Sequence, residues 1–301
     1  MLDLLNLFEV STPELAKLLP KIKKSRDDKM VQMSFELSQG TQVVFVNNIT
    51  QRKEISDYDS LATIELTQTE QEIFKKRLES LEQASGFYDG NQLLIKEAVC
   101  EDNTVYLEAL RCKFSLMKAI TTHAFPPDSA ICKLKVYKTG ALVPFITSDN
   151  CTAFIERKAD KLYSAASGFL ELTGDIKSLS GIVQATAESE ACDEFLYDQN
   201  RQLRVGYQFA GIASMSLRRV YDASESGTLE FITPFFLNCS SKELEYILRT
   251  NSAPDKHEHT NNFYIVPLDT EGQAMKTGFL EKKVPGAFLY NPILASISKM
   301  V

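Results

Sequence analysis

The sequence lacks the features that would place the protein in a membrane or on nucleic acid. No apolar run is long enough to cross a bilayer, and residues 1–10 carry Asp3 and Glu9 where a signal peptide has a basic start. The 33 Lys and Arg residues are outnumbered by 40 Asp and Glu residues, for a formal net charge of -7. This acidic balance argues against a phosphate backbone as the main partner. We therefore expect a cytoplasmic protein that binds neither a membrane nor nucleic acid.

The sequence also lacks the short motifs of several common cofactor sites. Its 6 cysteines are scattered without a Cys-x-x-Cys pair, so zinc and dithiol redox centres are not indicated. No Gly-x-x-x-x-Gly-Lys-Ser/Thr or Gly-x-Gly-x-x-Gly loop is present, which leaves P-loop and Rossmann sites without support. Any nucleotide chemistry must therefore rest on other residues.

The apolar content of the sequence predicts a folded chain of two domains. Hydrophobic residues make up 44% of the 301 positions, which is enough for a sizeable core. The length exceeds the roughly 150 residues of a typical domain. Adjacent Pro126 and Pro127 interrupt every periodic pattern. We therefore expect an N-terminal α+β domain of residues 1–127 and a second domain of residues 128–301.

Local patterns predict the elements of the first domain. Alternating apolar and β-branched residues predict strands at 30–37 and 43–46, joined as a hairpin. Thr67 and Glu70 have the spacing of a capping box, and the apolar spacing that follows predicts a helix. A strand over 92–98 and an amphipathic helix over 110–120 complete this domain.

The second domain reads as a mixture of strands and helices. Turns are predicted at Thr139-Gly140 and Asp149-Asn150. A long helix is predicted over 179–197, because apolar residues recur there at helical spacing. The remaining predicted elements are strands at 134–137, 141–147, 151–157, 203–212, 228–237 and 263–268, and a helix at 241–249.

The long helix carries three carboxylates at spacing that favours one face. Glu190, Asp193 and Glu194 stand at i, i+3 and i+4. Like charges at this spacing repel, whereas a hard divalent cation with oxygen ligands would turn the repulsion into binding. Spacing alone leaves two interpretations open, a solvated acidic face and a metal site.

The residues before this helix make the pattern resemble a known family. A predicted strand ends in Glu156-Arg157, and a small-residue loop over 164–171 contains Gly168. This order resembles the Nudix hydrolases, whose signature includes an opening glycine and the run Arg-Glu-apolar-x-Glu-Glu. Gly168 stands for the glycine, and the run is similar to Ser189-Glu190-Ala191-Cys192-Asp193-Glu194. The resemblance covers about residues 130–285.

The resemblance implies a fold, a reaction and a set of site residues. The fold would be a Nudix-like α/β/α sandwich with a mixed sheet, preceded by an α+β N-terminal extension. The reaction would be Mg-dependent (or Mn-dependent) pyrophosphatase chemistry, the cleavage of a pyrophosphate bond in a nucleoside diphosphate linked to another moiety. The implied metal ligands are Glu190, Asp193 and Glu194, the catalytic residues Glu194 and Glu258, and the substrate-binding residues Arg157 and Gly168.

Departures from the family pattern keep other functions open. Ser189 stands where the family has Arg, and the distance between Gly168 and Ser189 is longer than the family's spacing. A nucleotide-binding module with impaired catalysis is therefore an alternative, as is an interaction protein that uses its N-terminal domain. We expect residues 1–127 to cover one edge of the sandwich or to mediate contacts in a homodimer.

A second candidate site is the pair His257-x-His259. Two histidines at i, i+2 point the same way on a strand and could bind zinc, but a third ligand is missing from the sequence nearby. We therefore interpret the two histidines as polar loop residues.

Overall fold

The described part of the chain forms two mixed β-sheets with a few helices. The computed structural model describes residues 30–36, 42–55, 58–83, 89–101, 104–121, 124–126, 128–134, 136–158, 163–172, 178–197, 203–209, 211–212, 214–220 and 227–268. The expectation for residues 1–10 lies outside these ranges.

The large sheet contains strands from both halves of the chain. Its strands follow the order β1-β11-β12-β5-β3-β4-β2, and β9 also pairs with β5. The pairs β12–β5 and β2–β4 are parallel, whereas the other pairs are antiparallel. The strands are β1 (Met30–Glu36), β2 (Gln42–Val46), β3 (Asn91–Glu101), β4 (Thr104–Lys113), β5 (Tyr137–Val143), β9 (Ala166–Phe169), β11 (Ser214–Val220) and β12 (Gly227–Ile232).

The small sheet is built from the second half of the chain. Its strands follow the order β10-β13-β6-β7-β14, with β8 paired to β7. The pair β13–β6 is parallel, and β14 runs antiparallel to β7. The strands are β6 (Phe145–Ile146), β7 (Cys151–Arg157), β8 (Tyr163–Ser164), β10 (Tyr207–Phe209), β13 (Phe235–Leu237) and β14 (His259–Pro267).

Some of the helices begin where the sequence offers capping side chains. The capping box at Thr67 is formed, since the Thr67 amide donates to Glu70 Oε2 at 2.9 Å. Ser178 Oγ accepts a hydrogen bond from the Gly181 amide at 3.1 Å. The helices are α1 (Gln68–Glu82), α2 (Phe114–Thr121), α3 (Ala130–Lys133), α4 (Leu179–Glu190) and α5 (Ser241–Arg249), with a π turn at Ala191–Leu196 and 3₁₀ turns at Tyr58–Ser60 and Pro254–Glu258.

Both faces of the large sheet are covered by apolar side chains. Leu93 and Leu94 are consecutive residues of β3, so their side chains point to opposite faces. Leu93 belongs to the main core cluster, which includes Ile182 of α4, and Leu94 belongs to a second cluster that includes Met117 of α2. The mixed α/β class is therefore present in the structure. The three-layer sandwich with its N-terminal extension stays a prediction.

The predicted hairpin between the first two strands is wrong. Both strands exist, but β1 pairs with β11 and β2 pairs with β4, so they lie at opposite ends of the large sheet. The alternation of apolar residues indicates a strand and its buried face, and it carries little information about the partner strand.

The predicted turn at Thr139-Gly140 and the predicted loop over 164–171 are also wrong. Strand β5 runs through Thr139 and Gly140, and its second half pairs with β9. A Cβ at position 140 would lie 3.0 Å from the Gly168 carbonyl oxygen. Glycine at 140 therefore permits close approach of two backbones and does not mark a turn.

Two further boundaries differ from the predictions. Leu110 belongs to β4, and the helix begins only at Phe114. The predicted strand over 228–237 is divided between β12 in the large sheet and β13 in the small sheet. An apolar run shows burial, but it does not show where a chain passes from one sheet to another.

Two strand pairings, β3 with β5 and β1 with β11, join the segments before and after the proline pair. β3 pairs with β5 through Leu94–Lys138 and Ile95–Tyr137. The two segments therefore contribute to the same sheet. The division into domains at residue 127 stays a prediction.

Candidate functional site

The carboxylates of the candidate site lie at the end of α4, where the helix widens. Ile182, Val183 and Ala187 bury the apolar side of α4, and this packing fixes the helix against the core. The chain then makes a π turn over Ala191–Leu196. Because a π turn is wider than an α turn, the one-face relation of an ideal helix no longer holds for all three carboxylates.

Glu194 is the most firmly held of the three carboxylates. Glu194 is 6% exposed, and each of its two carboxylate oxygens has a different neighbour. The Ser167 amide donates to Oε2 at 3.2 Å, and His259 Nε2 lies 3.2 Å from Oε1. The backbone oxygen of Glu194 accepts a hydrogen bond from Asn251 Nδ2 at 2.7 Å. Strand β9, strand β14 and the segment after α5 thus converge on this residue.

Glu190 lies directly against the backbone of β9. A Cβ at position 168 would overlap the Glu190 carboxylate and would come within 2.6 Å of Glu190 Cγ. Gly168 is therefore the residue that leaves room for the Glu190 side chain. The candidate substrate-binding residue Gly168 and the candidate metal ligand Glu190 are neighbours in the structure.

Asp193 forms a hydrogen bond with a residue of the preceding helical turn. Its Oδ2 accepts a hydrogen bond from Ser189 Oγ at 3.1 Å. The neighbour of the Asp193 carboxylate on this helix is therefore a neutral hydroxyl. Asp193 is partly exposed, and its charge still reaches Glu190.

Burial and neighbouring carboxylates raise the pKa values of the two inner glutamates. Burial, which is the largest cause, and the charges of Glu194, Asp193, Asp255 and Glu258 together raise the pKa of Glu190 to about 8. Burial also raises the pKa of Glu194 to about 8, with smaller contributions from Glu258 and Asp255. The Ser167 amide and the charge of Arg157 act in the opposite direction on Glu194. The site therefore retains protons near neutral pH, and an added cation would stabilise the ionised carboxylates.

The remaining candidate residues border this pair. Glu258 ends the 3₁₀ turn and is exposed, and its carbonyl oxygen accepts a hydrogen bond from the Lys158 amide at 2.8 Å. Arg157 ends β7 and pairs in register with His259. All six residues that the sequence indicated, Arg157, Gly168, Glu190, Asp193, Glu194 and Glu258, thus belong to one region of the structure.

Sequence reasoning missed several members of this region. His259 is not a polar loop residue, because it begins β14 and is 5% exposed. Asp255 contributes charge to both glutamates, and Asn251 holds the backbone of Glu194. The acidic and histidine-containing stretch over 255–259 was the available signal, but only the tertiary contact shows that it faces the π turn.

The described side chains do not form a ready-made metal site. Within the described ranges, no group of three or more His, Cys, Asp and Glu residues has the arrangement needed to hold a metal ion. The donor set of Glu190, Asp193 and Glu194 is nevertheless all oxygen, which is the chemistry that Mg²⁺ and Mn²⁺ prefer. The donor type fits these ions, and the number of converging protein ligands is small.

Comparisons with known proteins give little further information. No protein-family profile matches this sequence, and no curated protein is similar to it at a significant level. A crystal structure of Tm1382, provisionally named as a Nudix hydrolase, superimposes with a TM-score of 0.35 at 12% sequence identity. The match covers 69% of this chain and 97% of that chain. A likeness of this strength does not establish a family.

None of the helices in the described ranges combines the length and the apolar composition needed to span a bilayer.

Proposed function

We propose that this protein is a Nudix-type pyrophosphohydrolase that cleaves a nucleoside diphosphate linked to another moiety and depends on Mg²⁺ or Mn²⁺. The observation that carries the proposal is the pair of a half-buried Glu190, which lies against Gly168, and a buried Glu194, both with raised pKa values. Perturbed carboxylates of this kind cluster at functional sites. The run over 189–194 resembles the Nudix signature, and on this resemblance we assign the two glutamates as metal ligands.

The proposed ligands are Glu190 and Glu194, with a smaller contribution from Asp193. The two inner carboxylates repel each other when ionised, so their pairing is favourable only when protons or a cation neutralise them. Because few protein ligands converge, phosphate oxygens of the substrate would complete the coordination of a bound Mg²⁺. The ion, when bound, supplies Lewis-acid polarisation of a phosphoryl oxygen and lowers the pKa of a bound water.

The other residues act on the substrate and on protons. Glu258 is the proposed general base, because its exposed carboxylate borders the pair and can accept a proton from the attacking water. The water oxygen forms a bond to phosphorus, the bridging P–O bond breaks, and the products are a nucleoside monophosphate and the phosphorylated remainder. Arg157 is the proposed cation that contacts substrate phosphate, and Gly168 leaves room for the Glu190 carboxylate.

An activity screen tests this proposal. Purified protein is incubated with dinucleotides and nucleotide sugars, with and without Mg²⁺, and release of nucleoside monophosphate is measured. We expect Mg²⁺-dependent release by the natural chain and none by the variant Glu194→Gln. Release that persists in the variant would show a contaminant or another site.

Calorimetry tests the assignment of the metal ligands. Mg²⁺ alone should give little heat, because the described residues form no complete metal site. Mg²⁺ with a nucleoside diphosphate compound should give clear coupled binding. Failure of both titrations over a broad nucleotide panel would contradict the proposal and favour the interaction-protein alternative.

The second candidate function is a Nudix-fold binding module without catalysis. Ser189 favours this function, because its hydroxyl contacts Asp193 at the position where the family's Arg stands. Coupled binding of nucleotide and Mg²⁺ without any release of nucleoside monophosphate would select the module.

A further inference from the structure

The contact between His259 and Glu194 joins two segments that are 65 residues apart. His259 Nε2 lies 3.2 Å from Glu194 Oε1, and both residues are buried. We infer that His259 is a positioning residue that fixes the orientation of the Glu194 carboxylate. The contact between the two side chains is a feature of the structure. Only the role of the Glu194 carboxylate as a metal ligand rests on the proposed function.

The two carboxylate oxygens of Glu194 are held from different elements of the fold. Oε1 faces His259 of β14, and Oε2 accepts the Ser167 amide of β9 at 3.2 Å. A glutamate side chain has several rotatable bonds, so one neighbour alone would leave the carboxylate plane free to turn. Two neighbours on opposite oxygens select one orientation.

This arrangement leaves the carboxylate able to bind a further group. Each carboxylate oxygen has two lone pairs, and each neighbour above occupies one. An ionised Glu194 can only accept hydrogen bonds, so His259 Nε2 carries the proton in that state. The second lone pair of each oxygen remains for a cation or a water.

His259 is itself held in place by packing. Its ring lies 4.7 Å from the ring of Phe195 at an interplanar angle of 60°. His259 also starts β14, opposite Arg157 of β7. A ring that is fixed by a strand and by an aromatic neighbour can impose its position on the glutamate.

A matched pair of variants separates the hydrogen bond from the packing. His259→Gln places an amide group near the position of Nε2, whereas His259→Asn has a shorter side chain that cannot reach it. Both variants lose the ring contact with Phe195. A purely structural role of the ring would therefore affect the two variants equally.

The first measurement is hydrogen exchange of the Ser167 amide by NMR, with Glu194→Ala as the reference for complete loss of its acceptor. We expect exchange in His259→Asn to be at least about tenfold faster than in the natural chain, because the freed carboxylate turns away from Ser167. His259→Gln should stay within about threefold of the natural chain. Equal exchange rates in the two variants would overturn the inference.

The second measurement is turnover of the best substrate from the activity screen. In His259→Asn, kcat should fall by about 10-fold to 100-fold, the usual effect of losing a group that orients a metal ligand. KM should change little, and His259→Gln should restore most of kcat. An equal loss of kcat in both variants would overturn the inference.

The result of each measurement can be interpreted without the other. If the natural chain turns over no substrate, the proposed function fails, and the Ser167 exchange rates still decide the role of His259. If His259→Asn does not fold, Phe195→Leu takes its place, because it removes the support of the ring and keeps Nε2. Unchanged exchange of Ser167 in a folded Phe195→Leu variant would overturn the inference.

Discussion

Gly168 lies against the carboxylate of Glu190 so closely that no other residue fits at position 168 without displacing that side chain. The glycine belongs to β9 of the large sheet, and the glutamate ends α4. This contact connects the strand to the acidic end of the helix and determines where the Glu190 carboxylate points.

The contact predicts the effect of Gly168→Ala. The new Cβ should push the Glu190 side chain out of position, because the carboxylate at the end of that side chain would lie closest to the Cβ. We expect a loss of stability of roughly 1–3 kcal/mol, as in other overpacked sites. Mg²⁺-dependent activity should fall by about 100-fold, since small displacements of reacting groups are costly.

Thermal melting and steady-state kinetics measure these two effects. The control is Gly206→Ala, whose Cβ would have atoms of the Asn238 side chain as its nearest neighbours. That variant should keep its activity. Full activity in a stable Gly168→Ala variant would show that the position of Glu190 is irrelevant to function.

The burial of Glu194 predicts how stability changes with pH. The pKa of Glu194 is raised in the folded state from its ordinary 4.5 to about 8, so the folded chain binds this proton more tightly than the unfolded chain. The free energy of unfolding therefore decreases as the pH rises from about 5 to about 8. Glu194→Gln removes this contribution while it keeps a similar shape.

Melting temperatures of the natural chain and of Glu194→Gln across this pH range test the prediction. The variant should become progressively more stable than the natural chain as the pH rises. Glu72→Gln on α1 is the control, because Glu72 is exposed and lies on a different helix. A constant difference between Glu194→Gln and the natural chain at every pH would contradict the prediction.

The hydrogen bond between Ser189 and Asp193 predicts that Asp193 contributes less to kcat than Glu194 does. Asp193 contacts Ser189 and is partly exposed, whereas Glu194 is buried. We therefore expect Asp193→Asn to lower kcat by less than about tenfold, and Glu194→Gln to lower it by at least about 100-fold. Equal losses in the two variants would show that both carboxylates act directly on the metal.

The pairing of β3 with β5 predicts how separate fragments behave. A fragment of residues 128–301 would lose β3 beside β5 and β1 beside β11, and the backbone groups of β5 and β11 that bonded to these strands would be left unpaired at sheet edges. We expect this fragment to unfold without a cooperative transition in circular dichroism. Two fragments that melt cooperatively on their own would instead support independent domains joined at Pro126-Pro127.

The sequence by itself was sufficient for elements that depend on neighbours along the chain. Capping side chains and helical spacing predicted α1, α4 and α5 close to their observed positions, and alternation predicted β7. Nearby residues also indicated the acidic run at 190–194. Helix caps and side-chain periodicity involve only a few successive residues, so a single sequence contains the information.

The partner of each strand was decided only by the tertiary structure. Strands β1 and β2 are close in sequence and lie at opposite ends of one sheet. β-strand pairing joins distant residues, and many partners satisfy the same alternation. The sequence therefore predicted some strands, such as β1, β2 and β7, but not their arrangement in the sheets.

The same limit applies to the candidate site. The sequence determined that carboxylates cluster around the end of α4, because their spacing is local. Only the fold brought Gly168 beside Glu190 and His259 beside Glu194. The raised pKa values follow from burial, and burial depends on long-range packing, which no local pattern specifies.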